Sequence, residues 1–159
     1  MKKRVLFVCL GNICRSPSAE AVFKGIVSQN HQSELIEIDS AGTSGYHAGE
    51  PSDSRMQQHA TKRGYRLTSI SRKFDPQHDF DHFDVIVAMD QDNMLHLRQM
   101  ARNEKDVSKL HLMTDFASSD TYGEVPDPYY GGSQGFETVL DILEDAGEGL
   151  FKHMNNEPR

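Results

Sequence analysis

The chain has 159 residues, the length of one domain with a sizeable core, and we expect residues 1–159 to form a single domain. Its 24 acidic and 17 basic residues give a net charge of −7, which argues against nucleic-acid binding. No apolar stretch reaches the roughly 18 residues that a membrane span needs. The chain has only two cysteines, too few for a secreted disulfide framework, so we expect a cytoplasmic protein without a membrane partner.

The predicted strands and helices alternate along the chain. Short apolar runs predict strands at residues 4–9, 35–38, 83–89 and 109–113. Helical periodicity predicts a helix that begins at Ser16, with Pro17 suited to its first position, and further helices at residues 52–63, 90–101 and 136–151. In the last of these, Gly147 and Gly149 weaken the middle of the pattern.

This alternation predicts an α/β fold of three layers, in which a central four-stranded parallel sheet is flanked by helices. In such folds the functional residues collect where the strands end. Cys9 follows the first predicted strand, Ser40 the second and Asp90 the third, while Asp127 lies in the long loop after the fourth. We therefore expect four separate segments to meet at one edge of the sheet.

The segment Cys9-Leu-Gly-Asn-Ile-Cys-Arg15-Ser16 lies between the first strand and the first helix. A loop at this place turns backbone N–H groups toward one point, and the helix dipole adds a positive field there. Arg15 offers a planar guanidinium that can hold two phosphate oxygens. The same field favours the thiolate of Cys9, which is the reactive form of a cysteine. The pattern therefore predicts a phosphate-binding loop around a cysteine nucleophile.

Two segments together resemble the low-molecular-weight protein tyrosine phosphatases: Cys9-x5-Arg15-Ser16-Pro17, and Asp127-Pro-Tyr-Tyr130 far downstream. The segments 39–43, 88–90 and 136–139 are also similar to segments of that family, in the same order. The resemblance implies one phosphatase domain over residues 1–159. It also implies a phosphocysteine intermediate, no cofactor, tyrosine-phosphorylated proteins or peptides as substrates, inorganic phosphate as product, and a monomer.

The resemblance also assigns roles to individual residues. Cys9 is the expected nucleophile, Arg15 binds phosphate and stabilises the transition state, and Asp127 is the general acid and base. Asp127 lies between two prolines, which restrict the backbone around it and keep its carboxyl group aimed. A turn aspartate before proline is the alternative interpretation of Asp127. The expected phosphate-binding loop also includes Leu10, Gly11, Asn12, Ile13, Cys14 and Ser16.

Behind the loop, Asn12 is a residue type that tolerates left-handed backbone geometry, which helps to fold N–H groups inward. In the family its side chain is held by a serine that matches Ser40 and by a histidine. Ser69 occupies the histidine position in this chain, which predicts a loop with one support fewer. Arg72 matches a family arginine that we expect to support the loop. Ser16 can both cap the first helix and donate a hydrogen bond to the Cys9 thiolate.

Several residues near the loop have two interpretations. Cys14 either packs in the cleft wall or, as the resemblance favours, traps oxidised Cys9 as a disulfide. Ile13 offers an apolar wall that suits a phenyl ring better than a guanidinium, which disfavours phosphoarginine. The expected mouth of the substrate cleft is lined by aromatic faces, with packing as the alternative role: Tyr46, Tyr129 and Tyr130.

The segment 78–84 is dense in histidine and aspartate, but its spacing matches no common closed metal site. We interpret it as a polar loop that leads into the third strand, and we expect no metal.

Two other functions remain possible from the sequence. An arsenate reductase can use the same fold and loop, but it needs further cysteines to pass a disulfide outward, and none follows Cys14. A non-catalytic phosphotyrosine-binding module would need the phosphate-binding loop but not Asp127.

Overall fold

In a computed structural model, which describes residues 2–130 and 132–159 except the side chain of Tyr130, four parallel strands form one sheet. The strands are β1 (Lys3–Cys9), β2 (Ile36–Gly42), β3 (Val85–Ala88) and β4 (Leu110–Leu112). Their spatial order is β2-β1-β3-β4, and all neighbouring pairs are parallel. The predicted fold class is therefore confirmed.

Helices cover both faces of this sheet. They are α1 (Arg15–Gln29), α2 (Ser54–Lys62), α3 (Pro76–His82), α4 (Gln91–Met100), α5 (Glu104–Ser108) and α6 (Gly132–Met154). Single 3-10 turns cover Met113–Phe116 and Pro128–Tyr130. Within the described residues, none of these helices is long and apolar enough to pass through a bilayer.

The strand β1 shows how the two faces are buried. Its side chains alternate, so that Val5 and Phe7 pack toward α1 and α6, whereas Leu6 and Val8 pack toward α3 and α4; all four are fully buried. Phe7 meets Phe23 of α1 edge to face, with ring centroids 5.6 Å apart. Because β1 is central and buried on both faces, it holds its last residue, Cys9, in a fixed position.

The two glycines in α6 do not interrupt the helix. A Cβ on Gly147 would lie 2.7 Å from Cδ1 of Ile26, and a Cβ on Gly149 would collide with the carbonyl oxygen of Phe116. The absence of side chains therefore lets α1 and the 3-10 turn approach α6 closely, which offsets the low helix propensity of glycine.

The sequence prediction was wrong or incomplete in four places. The helix α1 begins at Arg15 without a side-chain cap, so Ser16 is not its cap. The predicted polar loop at 78–84 is largely the helix α3, which Asp75 caps by accepting a hydrogen bond from the Gln77 N–H, and which Phe80 anchors in the core. The five-residue helix α5 was missed because it is too short to show periodicity. The strand β2 covers 36–42 instead of 35–38, so Ser40 lies inside the strand.

Candidate active site

The segment that joins β1 to α1 curls around the sulfur of Cys9. Cys9 is 3% exposed and forms the end of β1. Asn12 has φ 57°, the predicted left-handed conformation, and its backbone N–H points at the sulfur, 3.3 Å away. The hydroxyl oxygen of Ser16 lies 3.0 Å from the same sulfur. The sulfur thus lies at the positive N-terminal end of α1, among groups that can donate to a thiolate.

The side chain of Asn12 holds the loop from behind. Its Oδ1 accepts a hydrogen bond of 3.0 Å from the backbone N–H of Arg72, which fixes the amide orientation. Its Nδ2 therefore donates to the hydroxyl oxygens of Ser16, at 2.8 Å, and Ser40, at 3.0 Å. The Ser40 hydroxyl in turn donates to Oε1 of the buried Glu20, at 2.6 Å.

These hydrogen bonds determine where the hydrogen of the Ser16 hydroxyl can point. The oxygen of Ser16 accepts from Asn12, so its hydrogen is free to donate either to the Cys9 sulfur at 3.0 Å or to the Ala41 carbonyl at 3.4 Å. The contact to sulfur is the better one, because hydrogen bonds to sulfur are longer than those to oxygen. Ser16 can therefore stabilise negative charge on Cys9.

Arg15 is 3% exposed and is held from several directions. Its Nη1 donates to Oδ2 of Asp90 at 2.6 Å and to the Val125 carbonyl at 3.1 Å, while Nη2 lies 3.7 Å from Oδ2 of Asp127. Burial alone lowers the pKa of Arg15, but the charge of Cys9, the hydrogen bond to Asp90 and the carboxylate charges outweigh it and raise that pKa. The guanidinium therefore stays charged beside the sulfur.

Asp127 reaches the site from the long loop after β4. Its Oδ1 accepts a hydrogen bond of 3.0 Å from the Tyr129 N–H, and its side chain is 46% exposed. One carboxylate oxygen is thus oriented by the backbone, while the other faces Arg15 across the cleft. This arrangement can present a proton to a group that enters from solvent.

These residues surround a cleft of about 470 Å³. Predicted residues line most of it: Cys9, Leu10, Gly11, Ile13, Cys14, Arg15, Tyr46, Asp127 and Tyr129. Ser44 and His47 also line it and were not predicted. Tyr46, 83% exposed, stands at the rim, whereas the side chain of Tyr130 lies outside the described residues. The predicted Asn12, Ser16, Ser40 and Arg72 lie behind the loop and support it.

The model of the family described as low molecular weight phosphotyrosine protein phosphatase matches residues 4–159. The chain belongs to this family. It is 44% identical over 153 residues to a low molecular weight protein-tyrosine-phosphatase of Streptomyces coelicolor, which covers 95% of this chain and 93% of that protein. Cys9 and Arg15 fit the Cys-x5-Arg motif, as the resemblance predicted.

Solved structures of other proteins share the fold. A protein tyrosine phosphatase from Entamoeba histolytica, with Hepes in its active site, has a TM-score of 0.94 and 48% identity, and the match covers 98% of each chain. A Drosophila arginine phosphatase has a TM-score of 0.88 and 32% identity, over 97% of this chain and 98% of that one. The fold alone therefore does not determine whether phosphotyrosine or phosphoarginine is the substrate.

The resemblance predicted one support fewer for the loop at Ser69, and the segment around Ser69 contacts the loop in other ways. The backbone N–H of Arg72 binds Asn12, and the Ser71 hydroxyl donates to the Gly11 carbonyl at 2.9 Å. The Arg72 guanidinium donates to the fully buried Asp79 and to Asp39. The segment that contains Ser69 thus supports the loop through the Arg72 N–H and the Ser71 hydroxyl, and the first of these is a backbone group that no side-chain motif reveals.

Arg55 of α2 supports the loop that carries the acid and was missed by the sequence analysis. Its guanidinium lies 5.1 Å from the ring centroids of both Tyr129 and Phe136, and its Nη1 donates to the Tyr129 carbonyl at 3.3 Å. An oppositely charged neighbour, Asp53, caps α2 and binds the same guanidinium. Arg55 therefore ties α2 to the Asp127 loop through cation–π and hydrogen-bond contacts.

Two further sequence predictions concern Cys14 and the histidine-rich segment 78–84. Burial, followed by the charges of Asp53, Cys9 and Asp127, raises the pKa of Cys14 far above its usual value, so its thiol stays protonated at neutral pH. Both cysteines are free. In the part of the chain that the structure describes, no three histidine, cysteine or acidic residues are placed to hold a metal ion.

Proposed function

We propose that this chain is a protein tyrosine phosphatase that hydrolyses phosphotyrosine through a phosphocysteine intermediate. The observation that carries the proposal is the convergence of three groups on one cleft. The Cys9 sulfur lies inside the loop, the Arg15 guanidinium closes it, and the Asp127 carboxylate lies 3.7 Å from Arg15 on the open side. A nucleophile, a phosphate clamp and an acid are the set that covalent phosphoryl transfer requires.

In the first step the thiolate of Cys9 attacks phosphorus. The sulfur–phosphorus bond forms while the bond from phosphorus to the phenolic oxygen breaks, and Asp127 gives its proton to the departing oxygen. Arg15 and the backbone N–H groups of the loop hold the phosphoryl oxygens, on which charge is spread in the transition state. Because Asp90 and the Val125 carbonyl hold Arg15 in place, little reorganisation is needed during the step.

In the second step water attacks the phosphocysteine. Asp127, now a carboxylate, takes a proton from the water, the phosphorus–sulfur bond breaks, and inorganic phosphate leaves. The electron pair returns to Cys9 as a thiolate. The Ser16 hydroxyl and the Asn12 N–H, at 3.0 and 3.3 Å from the sulfur, stabilise that leaving thiolate.

The cleft walls favour tyrosine-phosphorylated proteins or peptides as substrates. Tyr46 and Tyr129 present aromatic faces at the rim, and Ile13 adds an apolar wall that suits a phenyl ring better than a guanidinium. We further propose that residues 1–159 act as one domain and as a monomer in the cytoplasm, and that the reaction uses no cofactor or metal.

The other functions fit these residues less well. An arsenate reductase would need cysteines beyond Cys14, and the sequence has two cysteines in all. A binding module would gain nothing from a carboxylate aimed into the cleft, because Asp127 would repel a bound phosphate unless it carries a proton.

The test is hydrolysis by the purified protein of a series of aryl phosphates with different leaving-group pKa values, together with phosphotyrosine and phosphoarginine peptides. We expect hydrolysis of phosphotyrosine but little of phosphoarginine. Cys9→Ser should abolish turnover and still bind phosphate. Asp127→Asn should slow poor leaving groups by about 10²–10⁴-fold and good ones far less.

Asp120→Asn, which makes the same change in an exposed loop, is the matched control for Asp127→Asn and should behave like the wild type. Hydrolysis by Cys9→Ser within a few-fold of the wild-type rate would refute the covalent mechanism. An equal slowing of every leaving group by Asp127→Asn would show that Asp127 is not the acid.

A further inference from the structure

A second groove of about 310 Å³ adjoins the catalytic cleft. The two share Leu10 and Ser44, so the groove is continuous with the place where the phosphate-binding loop opens to solvent. The complete lining of the groove is Leu10, Thr43, Ser44, Lys73, His96, Gln99 and Met100. No acidic side chain among the described residues lines it. The chain has a net charge of −7, but the charged side chain in this groove is the cation Lys73.

The backbone that lines the groove is fixed at Thr43 and Ser44, because their N–H groups donate to the carbonyls of Cys9 and Leu10, both at 2.9 Å. The hydroxyl oxygen of Thr43 is fully buried, so it does not face the groove.

A cation stands at the wall of the groove. Lys73 is exposed, and its ammonium makes no hydrogen bond or ion pair with any residue that the structure describes. Its stem is held against the backbone of Gly45, where an added Cβ would lie 3.3 Å from the lysine Cδ. Its backbone pairs with Gly42 at the end of β2. The position of Lys73 is thus set by the same strand that supports the catalytic loop.

We propose that this groove is a subsite for a carboxylate side chain of the substrate, an aspartate or glutamate close to the phosphotyrosine. The Lys73 ammonium pairs with the carboxylate, and His96 offers a ring N–H from α4. The groove adjoins the catalytic cleft and an extended peptide advances by about 3.3–3.6 Å per residue, so the acidic residue lies close to the phosphotyrosine in sequence. This subsite rests on the proposed function, and it gives that function a sequence preference.

The test uses phosphotyrosine peptides in which one glutamate is moved through the three positions on either side of the phosphotyrosine, each paired with a glutamine version. We expect kcat/KM to be roughly 2–5-fold higher for glutamate than for glutamine at one or two positions, as for a partly exposed ion pair. The preference should shrink when salt is raised to about 0.5 M, because salt screens exposed charges.

Variants assign the effect to the groove. Lys73→Gln should remove the glutamate preference. Lys62→Gln on α2 changes the net charge equally at a site away from the groove and should keep the preference. Both variants should hydrolyse a small aryl phosphate at the wild-type rate, which also shows that they fold.

The possible failures are distinguishable. Equal kcat/KM for glutamate and glutamine at every position, with aryl phosphate hydrolysis intact, would overturn the subsite alone. A preference that survives Lys73→Gln, or that Lys62→Gln removes equally, would also overturn it, because the cause would then be the overall field. Absence of hydrolysis of every peptide and of aryl phosphate would overturn the proposed function, and the subsite with it.

Discussion

Asp90 uses its two carboxylate oxygens for two different tasks. Oδ1 caps α4 by accepting from the Asn93 N–H at 2.7 Å, and Oδ2 holds Arg15 at 2.6 Å. Asparagine has one oxygen and one NH₂ group, so Asp90→Asn can keep only one of these bonds. Asparagine is as good a helix cap as aspartate, and we therefore expect the cap to survive and the contact with Arg15 to be lost.

The cost of Asp90→Asn follows from the burial of Arg15, which is 3% exposed and keeps only the Val125 carbonyl and the more distant Asp127. A hydrogen bond between charged groups contributes about 1.5–3 kcal/mol. Each 1.36 kcal/mol is a factor of about ten in rate, so kcat/KM should fall by about 10- to 150-fold.

The assay for Asp90→Asn is kcat/KM on an aryl phosphate together with the melting temperature. The lost bond also belongs to the folded state without substrate, so the melting temperature should fall by about 3–12 °C. Asp75→Asn makes the same change at the cap of α3 and should keep wild-type activity. Activity of Asp90→Asn within twofold of the wild type would refute the reasoning, because Arg15 would then be positioned without its closest carboxylate.

Three other changes test the loop. Arg15→Lys should lose most of kcat despite its charge, because lysine cannot hold two oxygens in one plane; an unchanged kcat would remove Arg15 from the transition state. Gly42→Ala should lower the melting temperature and reduce kcat/KM by at least about fivefold, since its Cβ would lie 2.8 Å from the Leu10 carbonyl oxygen and overpacking costs about 1–3 kcal/mol; unchanged stability and activity would show that the loop can shift without cost. Cys14→Ser should start with modestly lower activity and recover poorly with a thiol reductant after peroxide treatment, whereas the wild type recovers through a Cys9–Cys14 disulfide. Burial raises the pKa of Cys14 above both assay pH values, so its thiolate fraction still increases between about pH 6.5 and pH 8.5. The recovery of the wild type relative to Cys14→Ser should therefore be greater at about pH 8.5; equal recovery of both proteins would show that Cys14 only packs in the cleft wall.

Much of the fold was predictable because its strands and long helices carry clear apolar patterns. The boundaries of β1 and of the loop followed from the run Val5–Val8 and the Cys-x5-Arg spacing. The helix α5 was not predictable, because five residues show no period and its end is stabilised by Arg102 binding Asp106 and Asp81. Short polar helices of this kind depend on partners that only the tertiary structure brings together.

The same limit applies to the site. Most residues that line the cleft belong to contiguous motifs, so their sequence spacing points to them, whereas Ser44 and His47 were not predicted. Glu20, Ser71 and Arg55 act through contacts with residues 20 to 74 positions away, and nothing in their local sequence distinguishes them from surface residues. The sequence predicted that Asp90 follows a strand at the edge of the site, but it did not predict the hydrogen bond from Arg15 to Asp90.

The anchor of the Asn12 side chain is a peptide N–H, that of Arg72, and not the histidine that the resemblance would place at Ser69. An imidazole gains or loses a proton between about pH 5 and pH 8, whereas a peptide N–H does not. No side-chain replacement at 72 removes this donor, apart from proline, which lacks the hydrogen. The group that orients Asn12, and through it the Ser16 hydroxyl, therefore does not itself gain or lose a proton in this pH range.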